Sequence, residues 1–384
     1  MFRLTPARSR IRGAAGVAAS SLVVAIVAAG CGSSNSSSSA NASSSAKSNG
    51  ANITAAQQVV TQAMQRPASI TVTAPVGKAV PSGKKVVYIS CGVSVCQLQG
   101  QIVATAAKAL GWTTSTVATA GTPTSVIAAY QTALHQGANA IVTTAALRAE
   151  IASVVPALQS KGIVVSDCCS TDPVASPFIY NTSTPSQSGA IGKALAAEVV
   201  ANSSGKANTL YVNIPAFTIL SSLESTFKQA YSQYCPTCGY ASIDVGLTQL
   251  ATAPNLIVSY LRSHPSVNYV ALSVANELDS GLPAALSAAG LSNVKIVGQG
   301  GGPTDFQYVA SGQELALVPF DYYTVDYQMV DALARHFAGV PVQLTRPPLW
   351  MVTKANLPSG HANLFPDVTA YQSQFLKLWG KTKA

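Results

Sequence analysis

The sequence predicts an α/β protein of two Rossmann-like lobes, each a parallel sheet with helices on both faces. Three observations carry this reading. Short apolar runs such as VVYIS, AIVTT, IVVSD, LYVNI and KIVGQ are rich in β-branched residues and do not alternate with polar ones. Strands covered on both faces have that pattern. Most of these runs are followed by a segment of helical length, and several of those segments end at a glycine, as at Gly111, Gly137 and Gly290. The same architecture also occurs twice, once from Lys84 and again from Thr209, without evident identity between the halves.

The clearest unit is Val267 to Gly302. VNYVALSV reads as a buried strand, Asn276 to Gly281 as a polar turn, LPAALSAAGL as a helix and KIVGQGG as a second strand. A crossover this short makes the two strands parallel neighbours. Ligands in open α/β sheets lie outside the carboxyl ends of such strands. Asn276, Glu277, Asp279 and Gln299 to Gly301 are therefore expected on one functional edge.

Taken in order, residues 1–30 have a basic start, an uncharged apolar segment and small residues leading to Cys31. This is secretory-signal anatomy, too short and Ala-rich for a membrane span. Val27-Ala28-Ala29-Gly30-Cys31 resembles a bacterial lipobox, which implies lipidation of Cys31. An ordinary signal peptide with an incidental cysteine is the plainer reading. Residues 31–51 are nearly all Ser, Asn, Ala and Gly, a composition that makes a flexible tether. Residues 52–83 hold an amphipathic helix from Ile53 to Gln65 and a proline-bearing extended lead-in. The first lobe then covers 84–183 and 318–346, with TTSTVAT as a polar edge strand. The second covers 184–317 and 347–384, ending in a helix from Val368 to Trp379.

The chain has 384 residues, room for two domains. Apolar residues make up 48%, which supports sizeable cores, and charged residues only 10%. The formal charge is +9, but Arg3, Arg8, Arg10 and Arg12 precede the first apolar run. Beyond Cys31, 19 basic residues face 14 acidic ones, a balance of +5 without a basic stripe. Nucleic-acid binding is therefore not expected.

Six further cysteines, Cys91, Cys96, Cys168, Cys169, Cys235 and Cys238, make an even number in an exported chain, which argues for disulfides. Local pairing joins 91–96, 168–169 and 235–238. The alternative joins Cys91 or Cys96 to Cys168 or Cys169 across neighbouring strand ends. Cys235-Pro-Thr-Cys238 raises thiol–disulfide exchange, but its helix precedes the motif, so the helix dipole has the wrong sign to activate a thiol. A structural staple is the preferred reading, and no metal is expected. His135, His264, His336 and His361 neighbour no nucleophile motif, and there is no Gly-x-Ser-x-Gly, so no catalytic residue is assigned. Gly298 to Gly302 imitates a dinucleotide fingerprint only in part. Pro303 takes the last glycine position, and no cofactor is expected.

Asn276-Glu277 at a strand end, Ala288-Ala289-Gly290 at a helix end and Val297-Gly298-Gln299-Gly300-Gly301 at the next strand end resemble the second domain of type I periplasmic binding proteins. The resemblance runs in element order over Lys84 to Lys381. It implies a three-segment hinge, here near Asn181–Pro185, Leu315–Pro319 and Pro347–Val352, around which two lobes close on a ligand. Gln97, Thr144, Asp167, Cys168, Phe217, Asn276, Gln299, Asp321 and Tyr322 are then the candidate ligand-binding residues.

Three departures from the sugar-binding members matter. The loop after the first strand has no aromatic residue, Leu223 stands where an Arg is usual, and Gly300 where an Asp is usual. The expectation is an extracytoplasmic, lipid-anchored monomer that captures a small neutral molecule for a membrane ABC permease. The ligand would be a sugar, a modified sugar or an aromatic metabolite. A ligand sensor partnering a membrane receptor and a cell-envelope thiol oxidoreductase are the alternatives.

Overall fold

A computed structural model describes residues 50–93, 95–182, 185–360 and 364–381, the side chains of 185–187 excepted. The expected signal segment, Cys31, nearly all of the tether and His361 lie outside the described residues.

The first lobe is a five-stranded sheet in the order β2-β1-β3-β4-β5, parallel throughout. Its strands are β1 (Lys85–Ile89), β2 (Thr113–Val117), β3 (Ala140–Thr144), β4 (Val164–Cys168) and β5 (Phe178–Asn181). β2 is the edge strand, as its polar composition predicts. Helices α2 (Val95–Ala109), α3 (Pro123–His135) and α4 (Val155–Ser160) cross between the strands. Successive side chains of β1 enter different cores, as strand alternation requires. Val86 and Tyr88 pack with Val103 and Val325, while Val87 and Ile89 pack with Tyr130 and Leu158. The helix expected over Leu147 to Lys161 is shorter, because residues 148–154 form turns before α4. Pro156 at the second position fixes a helix start there.

The second lobe has six strands in the order β11-β10-β9-β8-β6-β7. These are β6 (Asn208–Asn213), β7 (Gly239–Asp244), β8 (Tyr269–Leu272), β9 (Lys295–Gln299), β10 (Ala316–Val318) and β11 (Val352–Thr353). Five run parallel. β11 pairs antiparallel with β10, so this sheet carries one reversed edge strand of two residues where PLWMVTK reads as a full strand. Its helices are α5 (Pro185–Asn202), α6 (Thr218–Tyr234), α7 (Ala253–Ser263), α8 (Ala275–Leu278), α9 (Leu282–Ala288) and α10 (Pro303–Ser311). The expected polar turn at Asn276 to Gly281 thus overlaps the short helix α8. α5 and α6 approach closely at Gly192. A Cβ there would lie 2.5 Å from Thr226 Oγ1 and 2.8 Å from the Leu223 carbonyl oxygen. Only a glycine lets the two backbones meet at that spacing.

Three further helices complete the chain: α1 (Ile53–Ala63), α11 (Tyr322–Phe337) and α12 (Tyr371–Leu378). α1 packs in the second lobe, where Ala56 and Ala63 join its core. The lead-in that follows puts Ile70, Val72, Val76 and Val80 in the first lobe's core. The carboxy-terminal helix corrects the sequence-based boundary at 347–384. Val368, Tyr371, Phe375 and Trp379 pack against Tyr327 in the first lobe, with the Tyr327 and Trp379 rings stacked at 5.8 Å. The aromatic face of α12 finds its match on α11, and Trp379 Nε1 donates to Asp331 at 2.9 Å. Asp331 also pairs with Arg335 at 2.6 Å, the one ion pair among the described residues.

The described chain therefore passes between lobes five times. Three passages, between β5 and α5, after β10 and before β11, match the three-segment hinge. The other two come from α1 into the lead-in and from residues 364–365 into α12. Three of them, at residues 63–66, 350–351 and 366–367, run side by side. Met351 N donates to the Ala63 carbonyl at 2.7 Å, and Trp350 Nε1 donates to the Met64 carbonyl at 3.1 Å. Arg66 donates to the Asp367 and Pro366 carbonyls and lies 4.7 Å over the Trp350 ring.

Candidate functional site

The carboxyl ends of both sheets face a shared cleft holding a cavity of about 110 Å³. Each lobe supplies a wall. From the first come Val93, Val95, Cys96, Gln99, Thr144 and Cys169, with Phe320 and Tyr322 at the head of α11. From the second come Ser188 and Ile191 of α5, Phe217, Ile219, Leu220 and Leu223 of α6, and Val274, Glu277 and Gln299 beyond β8 and β9. The wall is mainly apolar, and Glu277 is the one charged side chain among the described residues that line it. A smaller recess of about 60 Å³ adjoins it, lined in part by Ser90, Thr119, Glu150 and Phe217.

Of the residues expected from sequence, Thr144, Phe217, Gln299 and Tyr322 line this cavity and the other five do not. Gln97 is exposed, because the helix begins at Val95 and carries position 97 away from the cleft. Gln99 takes its place, one turn beyond Val95 and Cys96. A polar residue among Val95, Cys96, Ile102 and Val103 was a visible signal that this face meets something other than core.

Asp167 is fully buried beside β3 and does not reach the cavity. Burial raises its carboxyl well above the usual range, and neither oxygen has a hydrogen-bond partner. Cys168 lies beneath the floor, its sulfur 3.8 Å from both Gln99 Nε2 and Thr144 Oγ1. Its neighbour Cys169 takes the surface position.

Asn276 is spent on its own loop: Oδ1 accepts from Gly301 N at 3.1 Å, and Nδ2 donates to Glu277 Oε1 at 3.1 Å. It positions Glu277 rather than facing the cavity. Gly300 supports this turn with φ +86°, and a Cβ there would lie 3.2 Å from Asn276 Oδ1. Asp321 caps α11, accepting from Thr324 N at 3.1 Å. Burial, partly offset by those backbone hydrogen bonds, pushes its carboxyl up to about 6.

Gln99 is held at both ends. Its Nε2 donates to the buried Asp326 Oδ1 at 3.0 Å, and its Oε1 accepts from Thr144 at 3.2 Å. Gln299 is different: its Oε1 is buried and has no hydrogen-bond partner. An unpartnered buried acceptor on a cavity wall is matched to a donor that the protein does not supply.

The cysteines lie in sequence-local pairs, with Cα separations of 5.8 Å for 91 and 96, 3.8 Å for 168 and 169, and 5.3 Å for 235 and 238. The first two pairs border the cleft. Cys235 follows the carboxyl end of α6 and is buried, so the helix dipole there does not favour a thiolate.

Two α/β lobes facing each other across a hinged cleft define the class of two-lobed binding proteins. The chain belongs to the family described as periplasmic binding protein domain, whose model matches residues 86–340. Solved structures share the fold. The ABC sugar transporter subunit of Rhodobacter sphaeroides is 21% identical, with a TM-score of 0.63 over 72% of this chain and 99% of that one. A 5-methylthioribose transporter solute-binding protein from Thermotoga lettingae, in complex with 5-methylthioribose, is 18% identical, with a TM-score of 0.64 over 80% and 96%. An ABC transporter solute-binding protein from Agrobacterium vitis with bound allitol is 20% identical, with a TM-score of 0.64 over 72% and 97%. No curated protein matches the chain. Among the described residues, no helix is long and apolar enough to cross a membrane.

Proposed function

We propose that this protein is the solute-binding component of an ABC importer, held outside the cytoplasmic membrane by lipidated Cys31 and acting as a monomer. It has no catalytic cycle of its own. Its ligand is a small neutral molecule that carries an apolar group, such as a deoxy- or thio-substituted sugar or an aromatic metabolite. The unpartnered Gln299 oxygen on a largely apolar wall is the observation that carries this reading. It offers a ligand hydroxyl one fixed acceptor, while Phe217, Leu220, Leu223 and Val274 offer contact to apolar surface. The family's usual fork donor is replaced by Leu223, which removes the strongest grip on a ring rich in hydroxyls. The solved 5-methylthioribose complex is a fold relative whose ligand has this mixed character. In an oxidising compartment the three cysteine pairs form bridges, and the two at the cleft add polarisable sulfur to its wall.

Thermal-shift and calorimetric titration with 5-methylthioribose, aryl glycosides, D-ribose, L-arabinose and D-glucose test the reading. A ligand at 100 times its Kd stabilises by about 2.7 kcal/mol. The expected result is binding of the apolar-substituted compounds, weakened by 1–3 kcal/mol in Gln299→Ala. Tight binding of unmodified D-glucose or D-ribose alone overturns the ligand assignment. A mature amino terminus mapped anywhere but Cys31 overturns the anchor.

A further inference from the structure

Away from the cavity, the second lobe buries a cluster of three carboxylates that the binding reading does not use. Asp279 follows α8, Asp305 is the third residue of α10, and Glu314 precedes β10. They are 2%, 1% and 1% exposed. One oxygen from each lies within 4.8 Å of the others. In sequence they are 26 and 9 residues apart, so no spacing motif reveals them, and from sequence no metal is expected.

Three like charges in a dry site repel one another, and no cation among the described residues pairs with them. The only ion pair among the described residues is Arg335–Asp331 in the other lobe. Burial, then repulsion by its two neighbours, drives the Glu314 carboxyl well above the usual range. Burial, then Asp305, pushes Asp279 up to about 9. Internal hydrogen bonding accounts for part of the cluster, since Asp305 Oδ2 accepts from Gly302 N.

It does not account for Glu314. Both of its oxygens are buried without any hydrogen-bond partner, against the Cβ-less face of Gly298. A protonated Glu314 would still bury an unpaired hydroxyl and an unpaired carbonyl. A coordinated cation satisfies both oxygens and offsets the shared negative charge at once.

We infer that Asp279, Asp305 and Glu314 bind a hard divalent cation of the calcium class inside the second lobe. All donors on offer are oxygens, which excludes soft metals. Magnesium keeps several waters and needs room for them, whereas calcium accepts bidentate carboxylates at 2.3–2.6 Å in flexible geometry. A site this closed therefore suits calcium better. The ion lies behind the pocket wall. Asp279 is two residues from Glu277, and Asp305 caps the Gly302 amide beside the loop that Asn276 holds. Occupancy ties these two pocket-edge loops together. The inference is independent of which solute the cleft takes.

The test uses the purified mature chain, stripped with EDTA and dialysed. With 1 mM Ca²⁺ the melting temperature is expected to rise by about 5 °C, with a smaller rise in Mg²⁺. In Glu314→Gln and Asp305→Asn the rise is expected to vanish. Because either variant could fail to fold, Tb³⁺ is titrated into the unaltered chain as well. Tyr308, whose carbonyl accepts from Glu314 N at 3.1 Å, is the neighbouring tyrosine chosen to sensitise terbium luminescence. A luminescence signal displaced by Ca²⁺ and reduced in Tyr308→Phe supports the site. An unmoved melting temperature with no terbium signal overturns it. So does a calcium shift that persists in a folded Glu314→Gln variant.

Discussion

Replacing Gln99 by leucine tests how the cleft wall is built. Gln99 is 1% exposed and its amide is the one hydrogen-bonding partner of the fully buried Asp326. Gln99→Leu keeps nearly the same volume, so the cavity contribution is small. What it removes is the bond to Asp326, whose other oxygen already has no partner, and the acceptor of the Thr144 hydroxyl. Stranding a buried polar group costs about 1–3 kcal/mol. With two groups affected, a loss of about 2–3 kcal/mol is expected. At an m-value of about 3 kcal/mol/M, the urea midpoint falls by about 1 M. Adding Asp326→Leu removes the stranded carboxyl along with its partner. The double variant should therefore be more stable than the sum of the singles predicts, by about 1–3 kcal/mol. Urea denaturation followed by fluorescence on all four proteins closes the cycle. Strict additivity, or a single variant within 0.5 kcal/mol of the parent, would refute the argument that Asp326 exists to hold Gln99 in the cleft.

Two further outcomes follow from the same reasoning. Burial lifts Glu198 to about 7 in the folded chain from its ordinary value near 4.5. The folded state then holds its proton more tightly than the unfolded one, so this stabilisation is complete below pH 4.5 and fades as pH rises through 7. Glu198→Gln should raise the melting temperature at pH 8 by more than at pH 5, the difference corresponding to about 1–3 kcal/mol; equal shifts at both pH values would disprove the burial argument. Replacing Cys235 and Cys238 together by alanine should lower stability by about 2–4 kcal/mol at most. Ligand affinity should change little, because neither residue lines the cleft; a lost ligand response in a folded double variant would count against the staple.

Strands were legible because burial on both faces leaves no choice of residue type, and the order of apolar runs gave both sheets. The cleft was legible as a set of loops but not as a set of side chains. Which way a residue points depends on phase. One residue separates Cys168 under the floor from Cys169 at the surface, and two separate exposed Gln97 from Gln99 in the wall. Asn276 and Asp321 have the chemistry to bind a ligand, yet the backbone amides of Gly301 and Thr324 claim them first. No local pattern reports such competition. The placement of α12 failed for another reason. An amphipathic helix announces that one face is covered, but only the aromatic partners on α11 decide which lobe covers it. The Asp279, Asp305 and Glu314 cluster is tertiary altogether, assembled from three segments.

The three adjoining passages between the lobes restrict the unliganded molecule as much as the bound one. Neighbouring segments that hydrogen-bond to one another, as Ala63 does to Met351 and Arg66 to Pro366 and Asp367, can bend together about a common line but cannot twist independently. The open ensemble is correspondingly narrow. A ligand that closes the lobes then has fewer relative orientations to extinguish, and less of its interaction energy is consumed in ordering the protein. A cleft with few strong hydrogen-bonding groups can hold a small solute tightly on those terms, through loss of little entropy instead of gain of many contacts.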